Sequence, residues 1–321
     1  MPDLIYTNTY GKELGVLPWA EGDITIGKNN TFELKISPDI GIEQDCFLMI
    51  EGTEYGGIVD GVDIDTTASY ITVSGRTWHG LLEETVICPD AGSDYYVVSG
   101  DLNTIIGQII SRQDLTSCMM ANPNASGYSV SNYQIYYSDA YTAICDMLKS
   151  VDCKLAISYS GSERKAVLSA VPRGEYVDDG IDGDKVNFQI KKTRPVNHLV
   201  CLGKGNLKDR SRVDVYADEN GNVSQTQSLF GVQHKGEIYE LSSTEDDKLL
   251  EDATKKLEDY QSDLNSCALK DVDGSMYDIG DIVGGRSTKH NVSATTAIAQ
   301  KIANIRGKRI TEETKTEAEV I

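Results

Sequence analysis

The chain has 321 residues, 30 Lys and Arg against 50 Asp and Glu, a formal net charge of −20 and a 40% share of hydrophobic residues, enough for two or three ordinary domains, each with a core. No apolar run approaches the ~20 residues that a membrane helix needs, and the start MPDLIYTNTY lacks the basic and apolar blocks of a signal peptide, so the expectation is synthesis inside a cell with no membrane insertion by this chain. The acid is uneven: residues 1–100 hold 17 Asp and Glu against 4 Lys and Arg, a field that repels phosphate and argues against sequence-specific nucleic-acid binding.

In chain order, six short strands are expected first, over residues 4–10, 24–26, 32–36, 46–50, 58–64 and 70–73, separated by Gly, Pro, Asn and Asp clusters. That spacing predicts a small β-barrel or sandwich, taken as a first, acidic β-barrel domain over 1–98. The turn at 51–54 lies between two apolar runs and signals a hairpin. Residues 70–87, YITVSGRTWHGLLEETVI, then form a joint. Ile71 and Val73 alternate with polar neighbours as in a strand, Gly75 stops the run, and Trp78, Leu81 and Leu82 recur at helical spacing. One helical turn should therefore plug the end of a sheet.

From about Ser99 the period becomes helical. Leu102, Ile105, Ile106, Ile109 and Ile110 form one apolar face behind Ser99 or Asp101 as cap, and Ala140, Ile144, Met147, Leu148 and Val151 form another behind Ser138. A polar loop, ANPNASG, separates them, and the alternating strands KLAISYS and KAVLSAV follow, giving an α+β middle domain over 99–184. Residues 175–185, EYVDDGIDGDK, read as a loop. A second β-barrel domain is expected over 185–321, opening on a second joint, VNHLVCLGKG at 196–205. Asn220-Gly221 supplies a hairpin turn. Thr244 to about Leu264 forms a long amphipathic helix with Leu249, Ala253, Leu257, Tyr260 and Leu264 on one stripe, and the last strands close the barrel. The fold class is thus mainly β with α+β, two related small β-barrels flanking the middle domain. Because each carries a strand, a glycine turn and an apolar plug, at 70–87 and 196–205, the two barrels should superpose.

Motifs for chemistry are sparse. Glu83-Glu84 beside Trp78 and His79 would be a carboxylate pair for glycoside cleavage only if separated across a sugar, and adjacent residues on one element diverge. His79, His198, His234 and His290 have no metal-ligand spacing. Gly203-Lys204-Gly205 lacks the rest of a phosphate loop and reads as a turn. Neither Asp271-Val272-Asp273-Gly274 nor DDGIDGD at 178–184 completes a calcium loop. The seven cysteines, 46, 88, 118, 145, 153, 201 and 267, are odd in number and form no CxxC, so they read as reduced core residues. No Ser, Cys or Lys sits beside an evident base. The expectations are therefore no enzyme, no catalytic residues, no metal and no cofactor.

The order of SGRTWHGLLEETVI (74–87), RPVNHLVCLGKGN (194–206), the helix at 244–264 and YDIGDIVGG (277–285) resembles the baseplate or tail-hub proteins of long-tailed and contractile phages and of phage-derived contractile injection particles, bacteriocins included. The resemblance covers nearly the whole chain. It implies a T4-type central hub: two barrels per chain, so that a homotrimer presents six similar barrels to a hexameric tail tube protein and seats a spike or tail-tip protein on its other side. The chain would then be a symmetry adaptor between six and three, made in the bacterial cytoplasm and built into the virion baseplate beside other baseplate proteins, with a tape-measure protein as a further partner. The sequence ends at Ile321 without a segment that reads as a lytic domain, which puts cell-wall cleavage in doubt. In a ring with an open lumen, the acids of the first third would line the conduit and keep phosphate from sticking; the candidates are Glu43, Asp45, Glu51, Glu54, Asp60, Asp63 and Asp65. A glycan- or receptor-binding tail module is the alternative, resting on seventeen tyrosines, notably Tyr95-Tyr96 and Tyr133, Tyr136 and Tyr137; a peptidoglycan-degrading tail enzyme is a weaker one.

Overall fold

The computed structural model describes residues 3–182, 187–192, 194–207, 210–241, 246–261, 265–270, 277–287 and 292–317. Strands predominate, and the chain divides into two compact units. The first takes Met1–Tyr176 together with Val272–Val283 and Ile298–Lys315, and the second takes Val177–Asp271, Gly284–Ala297 and Thr316–Ile321.

In the first unit, strands β1 (Leu4–Thr7), β2 (Glu13–Val16), β3 (Ala20–Ile26), β4 (Thr31–Ile36), β5 (Phe47–Ile50), β6 (Gly56–Asp63) and β7 (Ile71–Thr77) form an antiparallel sheet in the order β2-β1-β5-β6-β7-β4-β3. Strict alternation drives it. In β7 every second residue is buried, from Ile71 to Thr77, and in β4 Phe32, Leu34 and Ile36 turn inward, where they meet Ile24, Ile26, Val59 and Val73 in one core. The β5 run FLMI is instead buried at all four positions, as a strand covered on both faces must be. Leu48 and Ile50 enter the sheet core, whereas Phe47 and Met49 enter a second core under the helices.

In that second core the joint forms, with one correction: Gly75 does not stop the strand, because Gly75 and Arg76 are ladder-paired residues of β7, which runs directly to Thr77. Thr77 caps α1 (Trp78–Glu83), its hydroxyl accepting from the Gly80 amide at 3.3 Å. Trp78 is fully buried, edge-on to Phe47 and stacked on Tyr159, both at 5.7 Å between ring centres. Gly75 cannot carry a side chain, because a Cβ there would meet the Ile58 carbonyl and the Phe32 ring. Next come β8 (Val86–Ile87), β9 (Tyr96–Asp101), α2 (Leu102–Arg112), β10 (Met119–Ala121), β11 (Ser129–Ile135), β12 (Ser138–Asp139), α3 (Ala140–Lys149), β13 (Cys153–Ser160) and β14 (Lys165–Pro172). α2 is capped by Asp101, and α3 by Asp139, one residue after the expected Ser138, with its carboxylate accepting from the Thr142 amide at 2.7 Å. Ile105, Ile106, Ile109, Ile144, Met147 and Leu148 fill the space over β13 and β14.

The second unit holds a four-stranded sheet ordered Val223–Ser224, Arg212–Ala217, His198–Leu202, Gly236–Glu240, the last pair parallel. The helix α4 (Asp246–Gln261) buries Leu249, Ala253 and Leu257 against Leu199, Cys201, Val215 and Ala217. The hairpin at Asn220-Gly221 is present, with Gly221 at φ 85° and the Asp218 carboxylate accepting from the Asn220 and Asn222 amides. Asn187–Lys192 pairs antiparallel with Asn265–Lys270.

Three expectations are corrected. No sheet closes into a barrel among the described residues: the first-unit sheet ends at β2, a four-residue strand paired only with β1, and a barrel needs every edge joined in a consistent stagger. The segment 298–315, assigned by sequence to the second barrel, belongs to the first unit; Lys301–Arg306 pairs antiparallel with Glu21–Ile26, and Ala303 and Ile305 join the core of that sheet. Residues 175–182, read as a loop from their Asp and Gly content, form a strand, where backbone pairing overrides weak strand propensity. The sequence also passed over β2.

Candidate functional site

The seven candidate acids do not form one group. Glu43 and Asp45 are exposed ahead of β5, and Asp63 and Asp65 are exposed at and beyond the end of β6. Asp65 is held in its turn by the Thr67 amide and hydroxyl, at 2.8 and 2.7 Å, and those two hydrogen bonds keep its carboxyl below the usual range. Glu51, also exposed, lines an open cleft of about 260 Å³ with Lys12, Glu13, Tyr159 and Arg164.

Asp60 and Glu54 are committed elsewhere. Asp60 is the extra residue of a β-bulge in β6, which aims its carboxylate along β7. It accepts from the Arg76 backbone amide at 3.0 Å and from two guanidinium nitrogens at 2.9 and 2.7 Å. Arg76 also reaches Glu84 at 3.0 Å. The end of β7 is therefore locked to the bulge of β6 by a two-pronged ion pair. Glu83, next in line, accepts from the Asn30 side chain at 2.8 Å. The two neighbouring glutamates thus diverge to separate structural partners, as adjacent positions require.

Glu54 lies in a buried ionic network that the sequence did not reveal. Lys301 donates to Glu54 at 2.7 Å and to Asp278 at 3.3 Å; Lys154 donates to Asp278 at 2.9 Å and to Asp281 at 2.7 Å. Asp281 also accepts from the Gly174 and Asp278 amides, at 2.7 and 2.9 Å. Burial pushes the Glu54 carboxyl up, against the pull of Lys301. Burial likewise works to lower Lys301, but the charge and hydrogen bond of Glu54 outweigh it and hold the ammonium above its ordinary value. Asp278, although its own desolvation acts upward, is held low by Lys154 and then Lys301. His79 faces Glu54 at 3.8 Å and is fully buried. Burial first, and the Lys301 charge second, depress it to about 3, so at neutral pH it is an uncharged ring set edge-on to Tyr141. Among the described residues its Nδ1 finds no hydrogen-bond partner. Perturbed groups of this kind accompany active sites and structural ion pairs alike; here every carboxylate of the network has an ammonium partner.

Two other histidines meet in the second unit. His198 shares a 2.8 Å hydrogen bond with His234 through Nδ1 and another of 2.8 Å with Asp214 through Nε2, and it stacks on Tyr216. Arg212 clamps Asp214 through two nitrogens, at 2.7 and 2.8 Å, and keeps its carboxyl below the ordinary range. No local pattern signals this pairing, since 36 residues separate the two rings. His290 and the 271–274 segment lie outside the described residues. Among the described residues no cluster of His, Cys, Asp and Glu has the geometry to hold a metal ion, and no helix is long and apolar enough to cross a membrane. Cys46, Cys118, Cys153 and Cys201 are buried, whereas Cys88, read as a core residue, is exposed; it follows β8 at the start of a surface loop. Burial pushes the Cys145 thiol up to about 12 and that of Cys201 to about 11, the opposite of an activated nucleophile.

No protein-family model matches the chain, and no curated protein matches its sequence. Solved structures that resemble it include phage tail and baseplate proteins and secretion-system components. The 43 kDa tail protein of prophage MuSo2 from Shewanella oneidensis is 14% identical over 98% of both chains, with a TM-score of 0.48. The prophage tail protein gp18 from Listeria monocytogenes EGD-e is 12% identical over 99% of this chain and 95% of its own, with a TM-score of 0.49. A chain of the phage P2 baseplate in its activated conformation with Ca is 12% identical over 99% of both chains, also with a TM-score of 0.49.

Proposed function

We propose that this chain is a structural component of a phage tail or a tail-like injection particle, a baseplate hub subunit whose copies assemble into a trimeric ring between a hexameric tail tube and a central spike or tail tip. The observation that carries the reading is the open edge of the first-unit sheet. Among the described residues β2 is paired on one side only, and it presents Leu14 and Val16 to solvent at 51% and 42% exposure. An unpaired edge with apolar side chains is a template for another chain. With two β-rich units in each chain, three copies offer six such units to a six-fold partner, which is the symmetry step the role demands. The sequence joints at 74–87 and 194–206 support the same reading.

In the ring, the lumen-facing acids are Glu43, Asp45, Glu51, Asp63 and Asp65, which are the exposed members of the candidate group; Glu54 and Asp60 are held in ion pairs. A negative lining keeps the phosphates of passing DNA from binding and lets the polymer slide. Sedimentation equilibrium of the purified chain, alone and with the tail-tube protein, tests the assembly: three copies joining a ring of tube subunits are expected, and a chain that stays monomeric at high concentration with no complex overturns it. Replacing Glu43, Asp45 and Asp63 by Lys in the assembled ring tests the lining; retention of duplex DNA that falls steeply with salt is expected, and unchanged passage refutes it.

A further inference from the structure

The β9–β11 ribbon has two faces of opposite character. Register places Tyr96 opposite Ile135, Val97 opposite Gln134, and Val98 opposite Tyr133. Tyr96, Val98, Tyr133 and Ile135 point into the helical core, and Arg112 lies over the Tyr96 ring at 4.3 Å. The opposite face carries Val97 and Gln134, and by the same period of two it continues to Tyr95 and Tyr136 beyond the last ribbon pair. These two rings lie 5.7 Å apart, and the next residue, Tyr137, sets its own ring at 89° to Tyr136 at 4.9 Å. A φ of 37° at Tyr137 turns the chain there, a conformation that bulky side chains rarely adopt and that must be held by its surroundings. The three rings are 44%, 63% and 60% exposed. The three rings thus pack against one another while leaving much of their surface to solvent.

We propose that this outer face binds a neutral saccharide, the tyrosine rings receiving the C–H faces of pyranose units while the tyrosine hydroxyls and the Gln134 amide hydrogen-bond the sugar hydroxyls. Tyrosine offers an apolar body with a polar tip and loses little conformational freedom on contact, which suits the mixed C–H and O–H surface of a sugar. Charge selects the class. Asp94 adjoins Tyr95 and Asp139 lies two residues beyond Tyr137, so polyanions such as nucleic acid, phosphate-bearing wall polymers or uronic chains are repelled at Debye range. A neutral polymer meets no such barrier. The inference does not rest on the assembly role proposed above.

The test is calorimetric titration of the full chain with chitotriose, cellotriose and maltotriose, alongside a charged control, trigalacturonic acid. Saturable binding of at least one neutral trisaccharide is expected, with no binding of the charged one. Loss of one stacked ring corresponds to about a tenfold fall in affinity, so Tyr136→Ala should weaken binding by about that factor and Tyr136→Phe should retain most of it. Tyr136 is exposed, and circular dichroism will report whether each variant keeps its fold. Failure of all three neutral sugars to bind, tighter binding of the charged one, or affinity unchanged in Tyr136→Ala overturns the proposal. So does a fall in sedimenting mass in the Tyr136→Ala/Tyr137→Ala variant, which would make this face a contact between copies.

Discussion

Replacing Lys301 by Met removes one half of the Glu54 pair and leaves the other in place. The Lys301 side chain is 6% exposed and that of Glu54 15%, so the orphaned carboxylate cannot turn to solvent without disturbing the turn between β5 and β6. Truncating one partner of a buried pair costs about 3–5 kcal/mol, a large part of the 5–15 kcal/mol that holds a typical domain together. Glu54 has one escape, which is to take up a proton. The loss should therefore be greatest near neutral pH and shrink as pH falls through the raised carboxyl pKa of the variant, by up to about 1.4 kcal/mol for each unit. The double variant Lys301→Met/Glu54→Leu, with no charge left unpaired at that end, should recover most of the loss, because an ion pair replaced by apolar groups is often close to neutral. Urea unfolding at a series of pH values measures all three, with an unchanged slope showing that the unfolding reaction is the same. A single-variant loss below about 1 kcal/mol that does not vary with pH would refute the view of Glu54 as a buried, paired charge.

His79 supplies a second pH effect of known sign. Its folded pKa is depressed from 6.5 to about 3, so the unfolded chain binds the extra proton between those values and stability falls as pH drops through that window, by up to about 1.4 kcal/mol per unit; His79→Phe should flatten this part of the stability profile, as read by thermal melts between pH 3 and 7. Trp78→Ala empties a fully buried site between Phe47 and Tyr159 and should cost about 3–5 kcal/mol, whereas Trp78→Phe, which also removes an indole N–H that has no partner among the described residues, should cost distinctly less in the same urea assay. Asp101 caps α2 through the Asn103 and Thr104 amides and also holds Ser126 and Gly127 of the following loop; Asp101→Ala should cost about 1–2 kcal/mol, and amide exchange should show the 122–128 segment losing protection along with the first turn of the helix.

What the sequence made legible was local. The joint at 70–87 could be read because Ile71 and Val73 keep a period of two and Trp78, Leu81 and Leu82 a period of three and four within twelve residues, and the structure has strand and helix meeting there. Both helices of the middle segment were legible for the same reason, with α3 starting one residue later because the Asp139 carboxylate, rather than the Ser138 hydroxyl, reaches the free amide. What escaped was non-local. Whether 298–315 joins the N-terminal sheet depends on the fit of Ala303 and Ile305 to a strand about 280 positions earlier, and nothing near residue 300 encodes that. The candidate acids divide in the same way. Asp65 is held by a neighbour two residues on and could be read as a surface turn, whereas Asp60 is taken by Arg76 sixteen residues away, and Glu54 by Lys301 at a separation of 247. An acidic segment therefore overstates the free negative charge of the surface it builds.

The ionic network also explains why the late segments belong with the early ones. Asp278 and Asp281 carry the return of the chain, Lys154 comes from β13, Lys301 from the strand beside β3, and Glu54 from the turn between β5 and β6. All lie in the first unit. Apolar alternation alone would let the Lys301 strand slide by two residues along β3 and still bury a similar face, but a buried ammonium that must meet both Glu54 and Asp278 fits only one register. The network thus contributes less through net stability, which is modest for such pairs, than through the choice of alignment. On this view a Lys301→Met/Glu54→Leu variant that regains its stability should still show what the charges were for: slower refolding, or a second register visible as doubled amide signals along 298–306.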